Sequence, residues 1–117
     1  MKMVAAAKLR KSQERMEQAR PYAKRLEEMI QSLLPDVGRN MLELLDVREV
    51  KRVAFITVTS DRGLAGSFNT TIIKKVEQEI AAFGKDQCEL FCIGKKGRDY
   101  FKKRDYPIVE DYIEFWN

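Results

Sequence analysis

The chain has 117 residues, 44% of them hydrophobic and 34% charged, with a formal net charge of +4 and no histidine; that length holds one small domain plus an extension and no second core. Without histidine the commonest general base, the usual serine or cysteine triad and the commonest metal ligand are all missing, so an enzyme would have to work through carboxylates or lysine. No apolar run is long enough to span a membrane and Met3 to Ala7 is too short for a signal-peptide core, so the protein is expected to stay on the side where it is made.

Met1 to Leu45 reads as one long, mostly polar helix with a narrow apolar stripe. Counting in sevens puts Leu9, Met16, Ala23, Ile30, Val37 and Leu44 on one line, and Ala5, Ser12, Ala19, Leu26, Leu33 and Asn40 on the line beside it. That is the a/d seam of a coiled-coil strand rather than the broader face of a globular helix. Unbroken, such a helix runs to roughly 65 Å, whereas the remaining residues make a domain with a radius of gyration of about 11 Å. Most of the stripe therefore needs a partner helix. Two prolines interrupt it: Pro21 is expected to kink a continuing helix, and Pro35 with Gly38 marks a candidate break.

Asp46 to Arg52 is a charged connector. Val53 to Thr59 is a β-branched apolar run of strand length, and Ser60 to Ser67 (SDRGLAGS) is a turn. Phe68 to Phe83 has helical periodicity in Ile72, Ile73, Val76, Ile80 and Phe83, with Ser67 or Asn69 able to cap its start and Gly84 at its stop. Glu89 to Ile93 is a second short strand, Lys96 to Arg104 a basic helix, and Pro107 to Val109 the start of a third strand. The tail Tyr112 to Trp116 is aromatic and apolar, and looks like an element cut short. This strand–helix alternation predicts a parallel sheet with crossover helices, so the fold class is α/β: a long N-terminal coiled-coil helix (1–45) followed by a partial Rossmann-like β/α domain (46–117).

The motifs that could carry chemistry are weak. The glycines of Gly63 to Gly66 fit neither a dinucleotide fingerprint nor a P-loop, and no lysine follows to hold a phosphate. Gly94-Lys95-Lys96-Gly97 matches the G-x-x-G loop of a KH nucleic-acid domain, but the residues before it read as a strand where a KH loop needs a helix. A KH-like or basic-helix nucleic-acid binder is thus the alternative reading. Cys88 and Cys92, four apart on a strand, are expected to be a buried reduced pair. Asp61, Asp99, Glu110, Asp111 and Glu114 show no pairing suited to acid/base work. Basic residues cluster in two segments, eight in Met1 to Arg25 against Glu14 and Glu17, and six in Lys95 to Arg104 against Asp99. Each could meet an acidic surface or be a solvated face.

Four blocks together resemble one family: MKMVAAAKLRKSQERM at the start, ARPYA at 19–23, ITVTSDRGLAGSFN at 56–69 and CIGKKGRDYF at 92–101. They are similar, in order and spacing, to the gamma subunit of the F-type ATP synthase. The resemblance implies a non-catalytic central-stalk rotor subunit that transmits torque between a proton-driven membrane ring and the alpha/beta catalytic ring. Its N-terminal helix would pair antiparallel with a C-terminal helix of its own, and its α/β domain would sit against the epsilon subunit and the c-subunit ring. It implies no cofactor, metal, nucleic acid or catalytic residue, and a peripheral position on the cytoplasmic face of the bacterial inner membrane, or its organellar equivalent. Met1, Lys2, Lys8, Arg10, Lys11 and Arg62 match the family's segments that face the catalytic ring.

Three departures accompany the resemblance. The family begins about two turns of helix before the first block, so Met1 reads as an internal methionine. The sequence stops within the central domain, before the C-terminal helix, so the isolated fragment is expected to self-associate. Ala65 stands where the family often has cysteine.

Overall fold

The computed structural model describes residues 1–38, 41–63 and 65–114. It divides into two compact units, Met1–Arg48 and Glu49–Asn117.

The first unit is built on α1, Lys2–Leu33, a helix of 32 residues and so about 48 Å long. Pro21 lies inside it; the ring removes one backbone donor, leaving the Glu17 carbonyl without its i+4 partner, yet the helix runs on. No residue of α1 is buried. Its apolar seam is open, with Leu9 60%, Met16 48%, Leu26 46%, Ile30 49% and Leu33 56% exposed.

The helix stops well short of the expected Leu45. Pro35 has no amide to give the Gln31 carbonyl, and the amides of Asp36 and Val37 both turn back onto the Leu33 carbonyl at 3.2 Å, closing the last turn. Val37 therefore leaves the seam. A 3-10 turn at Glu43–Leu45 follows and takes Leu44 with it, while Asn40 lies outside the described residues.

The second unit runs β1 (Val53–Val58), α2 (Phe68–Phe83), β2 (Cys88–Ile93), α3 (Lys95–Lys103) and β3 (Ile108–Tyr112). The strands form one parallel sheet in the order β1-β2-β3. The third strand is longer than its sequence suggested, because a bulge at Leu90/Phe91 lets it recover register and pair as far as Tyr112 with Ile93. α2 packs on β1, α3 packs on β2 and β3, and the helices touch each other, so both crossovers cover the same face of the sheet.

On that face side chains alternate inward as strand geometry requires. Cys88, Leu90 and Cys92 of β2 meet Ile73 and Ile80 of α2 and Phe101 of α3, and Phe55, Val76, Tyr106 and Ile108 complete the core. Both thiols are free and buried, as the spacing indicated. The opposite residues of β1 are solvent-facing, with Ile56 70% and Val58 42% exposed. Tyr100 and Tyr106 donate their hydroxyls to one oxygen of Glu77, at 3.0 and 3.2 Å, tying α2 to α3 and to the turn after it.

Candidate functional site

In a parallel α/β sheet a ligand is expected beyond the carboxyl ends of the strands, where helix N-termini present free amides. Here those ends are Thr59 to Gly63 after β1 and Gly94 to Gly97 after β2. The N-terminus of α3 has four amides that its own turn cannot satisfy, and the chain satisfies each of them. The Lys95 amide donates to the Asp61 carboxylate at 2.9 Å, and the Gly97 amide donates to the Thr59 hydroxyl at 2.8 Å. The Lys96 amide donates to the Ser60 carbonyl at 3.0 Å and the Gly94 amide to the Tyr112 carbonyl at 2.8 Å. Asp61 thus stands where a phosphate would bind, and no backbone amide of that turn is left to recruit one.

The same contacts explain the glycines. A Cβ on Gly94 would lie 2.0 Å from the Thr59 carbonyl oxygen, and one on Gly97 would lie 2.8 Å from the Thr59 hydroxyl. Gly94 also has φ +107°, a conformation side chains rarely adopt. Both glycines let α3 close onto the end of β1. The G-x-x-G run is a strand-to-helix turn preceded by β2, not the helix–loop–helix of a KH domain, and the KH reading fails on that geometry.

Asn69 does not cap α2 as its position suggested. Its amide side chain is committed backwards: it accepts from the Ser60 amide at 3.0 Å and donates to the Ser60 hydroxyl at 2.7 Å. The Ser67 side chain makes no cap bond either. The run Thr59-Ser60-Asp61 is therefore a hub joining β1, α2 and α3. Sequence reading overlooked it, although a Thr-Ser-Asp at one strand end and a Gly-x-x-Gly at the next were the available signal.

Asp99 and Asp111 are held structurally. Asp99 accepts two bonds from Arg98, at 3.0 and 2.8 Å, and Asp111 lies 3.8 Å from the same guanidinium. The hydrogen bonds from Arg98 lower the Asp99 pKa below its ordinary value. Burial, reinforced by Asp111 and opposed by Arg98, pushes the Cys92 thiol up to about 11, which makes it a poor nucleophile at neutral pH. Among the described residues no cluster of His, Cys, Asp and Glu could hold a metal ion, and no helix is long and apolar enough to cross a membrane.

The six residues expected to face a partner fall on two surfaces. Met1, Lys2, Lys8, Arg10 and Lys11 are all exposed at the start of the first unit, and Arg62 is exposed on the β1–α2 turn of the second. Among the described residues, Arg10 alone of the four basic side chains of that helix start has a near carboxylate, Glu14 at 3.2 Å, an i,i+4 contact worth a few tenths of a kcal/mol. The chemistry available to this set is charge and apolar contact with another surface.

A family model described as ATP synthase matches residues 1–116. The chain is 50% identical over 113 residues to the ATP synthase gamma chain of Heliobacterium modesticaldum, which covers 97% of this chain and 38% of that protein. It is 47% identical to the ATP synthase gamma chain of Chloroherpeton thalassium over 100% of this chain and 40% of that one. The chain thus spans about two fifths of the length of these curated relatives. Among solved structures, the central stalk and c-ring of the Tetrahymena thermophila mitochondrial ATP synthase contains a similar chain, with a TM-score of 0.76 and 26% identity over 100% of this chain and 50% of that one.

Proposed function

The chain belongs to the ATP synthase gamma-chain family, and on that premise we propose that it forms part of the central-stalk rotor, carrying torque between a proton-driven ring of c subunits and the alpha/beta catalytic ring. It does no chemistry itself. In this reading residues 1–45 are the shaft, with α1 as one strand of an antiparallel pair, and 46–117 form the foot, placed against the epsilon subunit and the c ring at the cytoplasmic face of the membrane or its organellar equivalent.

The observation that carries the reading is the state of α1: an a/d seam over 32 helical residues with none of them buried. Apolar side chains on that scale are stable in water only when another helix covers them. Torque needs stiffness along the shaft, which paired helices supply, and a firm joint at the foot, which the Thr59-Ser60-Asp61 hub supplies by fixing α2 and α3 to one strand end. Met1, Lys2, Lys8, Arg10, Lys11 and Arg62 would meet acidic groups of the catalytic ring, and salt weakens such exposed contacts.

The test uses a complex that carries this sequence in its central stalk. Replacing Lys2, Lys8, Arg10 and Lys11 together by glutamine is expected to weaken ATP-driven proton pumping while the complex still assembles, and raising the salt is expected to affect the variant less than the parent. Unchanged pumping at every salt concentration would overturn the assignment of these residues. A complex that pumps fully with the whole sequence deleted would overturn the rotor reading.

A further inference from the structure

The amides of Lys95, Lys96 and Gly97 tie the start of α3 to the loop after β1, on Asp61, Ser60 and Thr59. That joint brings two exposed cations from different elements onto one patch. Arg62 is held through its backbone: the Ser60 hydroxyl donates to the Arg62 carbonyl at 2.5 Å, and the Asn69 side chain in turn holds Ser60. Lys96 reaches back over the same loop. Its Cε and Nζ would each lie 3.8 Å from a Cβ on Gly63, the residue after Arg62. Both side chains are exposed, and among the described residues neither forms an ion pair. Asp99, the carboxylate three residues beyond Lys96 on α3, is taken by Arg98.

We propose that Lys96 joins Arg62 in one cationic clamp for a carboxylate-bearing loop of the catalytic ring; this rests on the proposed function, which gives Arg62 that partner, and extends the contact to a residue of α3. An exposed ion pair is worth little when two long side chains must be ordered from scratch. Here both backbones are already fixed to each other, so only the side-chain tips remain to be ordered, and two unpaired charges act on one acidic segment. A protein carboxylate fits this patch better than a small anion does. Phosphate sites are built on free backbone amides, and those of the α3 start are satisfied within the chain. Lys103 is exposed on the same helix but lies about 10 Å further along its axis, so it stands outside the clamp.

The experiment uses the complex that carries this sequence in its central stalk. A carbodiimide couples an amine to a carboxylate without a spacer, and mass spectrometry of the digest is expected to find the Lys96 peptide joined to an Asp or Glu peptide of an alpha or beta subunit. The yield should fall severalfold in Arg62→Gln and in added salt. Lys96 coupled only within its own chain, or only to the epsilon or c subunits, would overturn the clamp. So would loss of the product on adding inorganic phosphate at constant ionic strength, which would mark a small-anion site. In ATP-driven proton pumping at low salt, Arg62→Gln and Lys96→Gln are each expected to lower the rate about two- to fivefold, the range of one exposed ion pair. The double variant should lose less than the product of the two, because the residues act together, and Lys103→Gln should leave pumping unchanged. Equal losses in Lys96→Gln and Lys103→Gln would reduce the effect to overall charge and overturn the pairing. Pumping that needs this sequence but ignores Lys96→Gln would strike the clamp and leave the rotor reading standing.

Discussion

α1 and the β-sheet unit are stabilised in opposite ways. α1 has 32 residues and buries none, while the sheet unit brings Leu90, Cys92 and Phe101 to zero exposure within its own fold. The sheet is a scaffold that specifies itself. The helix is specified by what lies against it, because intrinsic helix propensity alone leaves an isolated helix marginal in water. Substitutions should therefore act intrinsically in the sheet unit and conditionally in α1.

The largest effect is expected at Gly94. In Gly94→Ala the new Cβ must displace the Thr59 backbone at a φ of +107°, and we expect a loss of about 3–5 kcal/mol, read from denaturant unfolding of the sheet unit. Phe101→Ala, which empties a fully buried site, should cost about 3–5 kcal/mol in the same measurement. Leu9→Ala, on the exposed seam, should change unfolding of the dilute chain by less than about 0.5 kcal/mol. Equal losses at Phe101 and Leu9 would erase the contrast between the regions.

Asp61→Ala comes next. It removes the carboxylate that caps α3 at Lys95 and should cost about 1 kcal/mol, with the loss confined to the sheet unit. Thr57 makes a smaller change of opposite sign. Its hydroxyl is buried with no hydrogen-bond partner among the described residues, so the isosteric Thr57→Val should raise stability by about 1 kcal/mol or less. A destabilised valine variant would mean the hydroxyl has a partner in solution.

The gentlest effect is a slope with pH. The Cys92 pKa is raised in the fold from 9.0 to about 11, so the folded state keeps a proton that the unfolded chain gives up. Stability from this group is complete below pH 9 and falls as the pH climbs towards 11. Cys92→Ser or Cys92→Ala should flatten that slope in a pH series of melting temperatures.

Much of the sheet unit is legible because apolar runs and punctuation agree. VAFITV, CELFCI and the 3.6-residue pattern of Phe68 to Phe83 each lead to the element found. The end of α1 was harder to read, since the heptad count continues through Pro35 although the backbone does not. A seven-residue repeat reports side-chain type and is blind to a missing amide. The hub was hidden for another reason: Asp61 and Lys95 are far apart in sequence, and only the parallel register brings them together. Lys2, Lys8, Arg10, Lys11 and Arg62 carry no signature of their own within the fold, because an exposed charge acquires its role from the surface it meets.

Native-state hydrogen exchange tests the contrast most directly. Amides of β2, such as Leu90 and Cys92, are expected to be strongly protected, whereas amides in the middle of α1, such as Ala19 and Ala23, are expected to exchange much faster while nothing covers the seam. Protection of α1 that matches β2 in the dilute monomer would contradict it, since the helix would then be stable without anything to cover its seam.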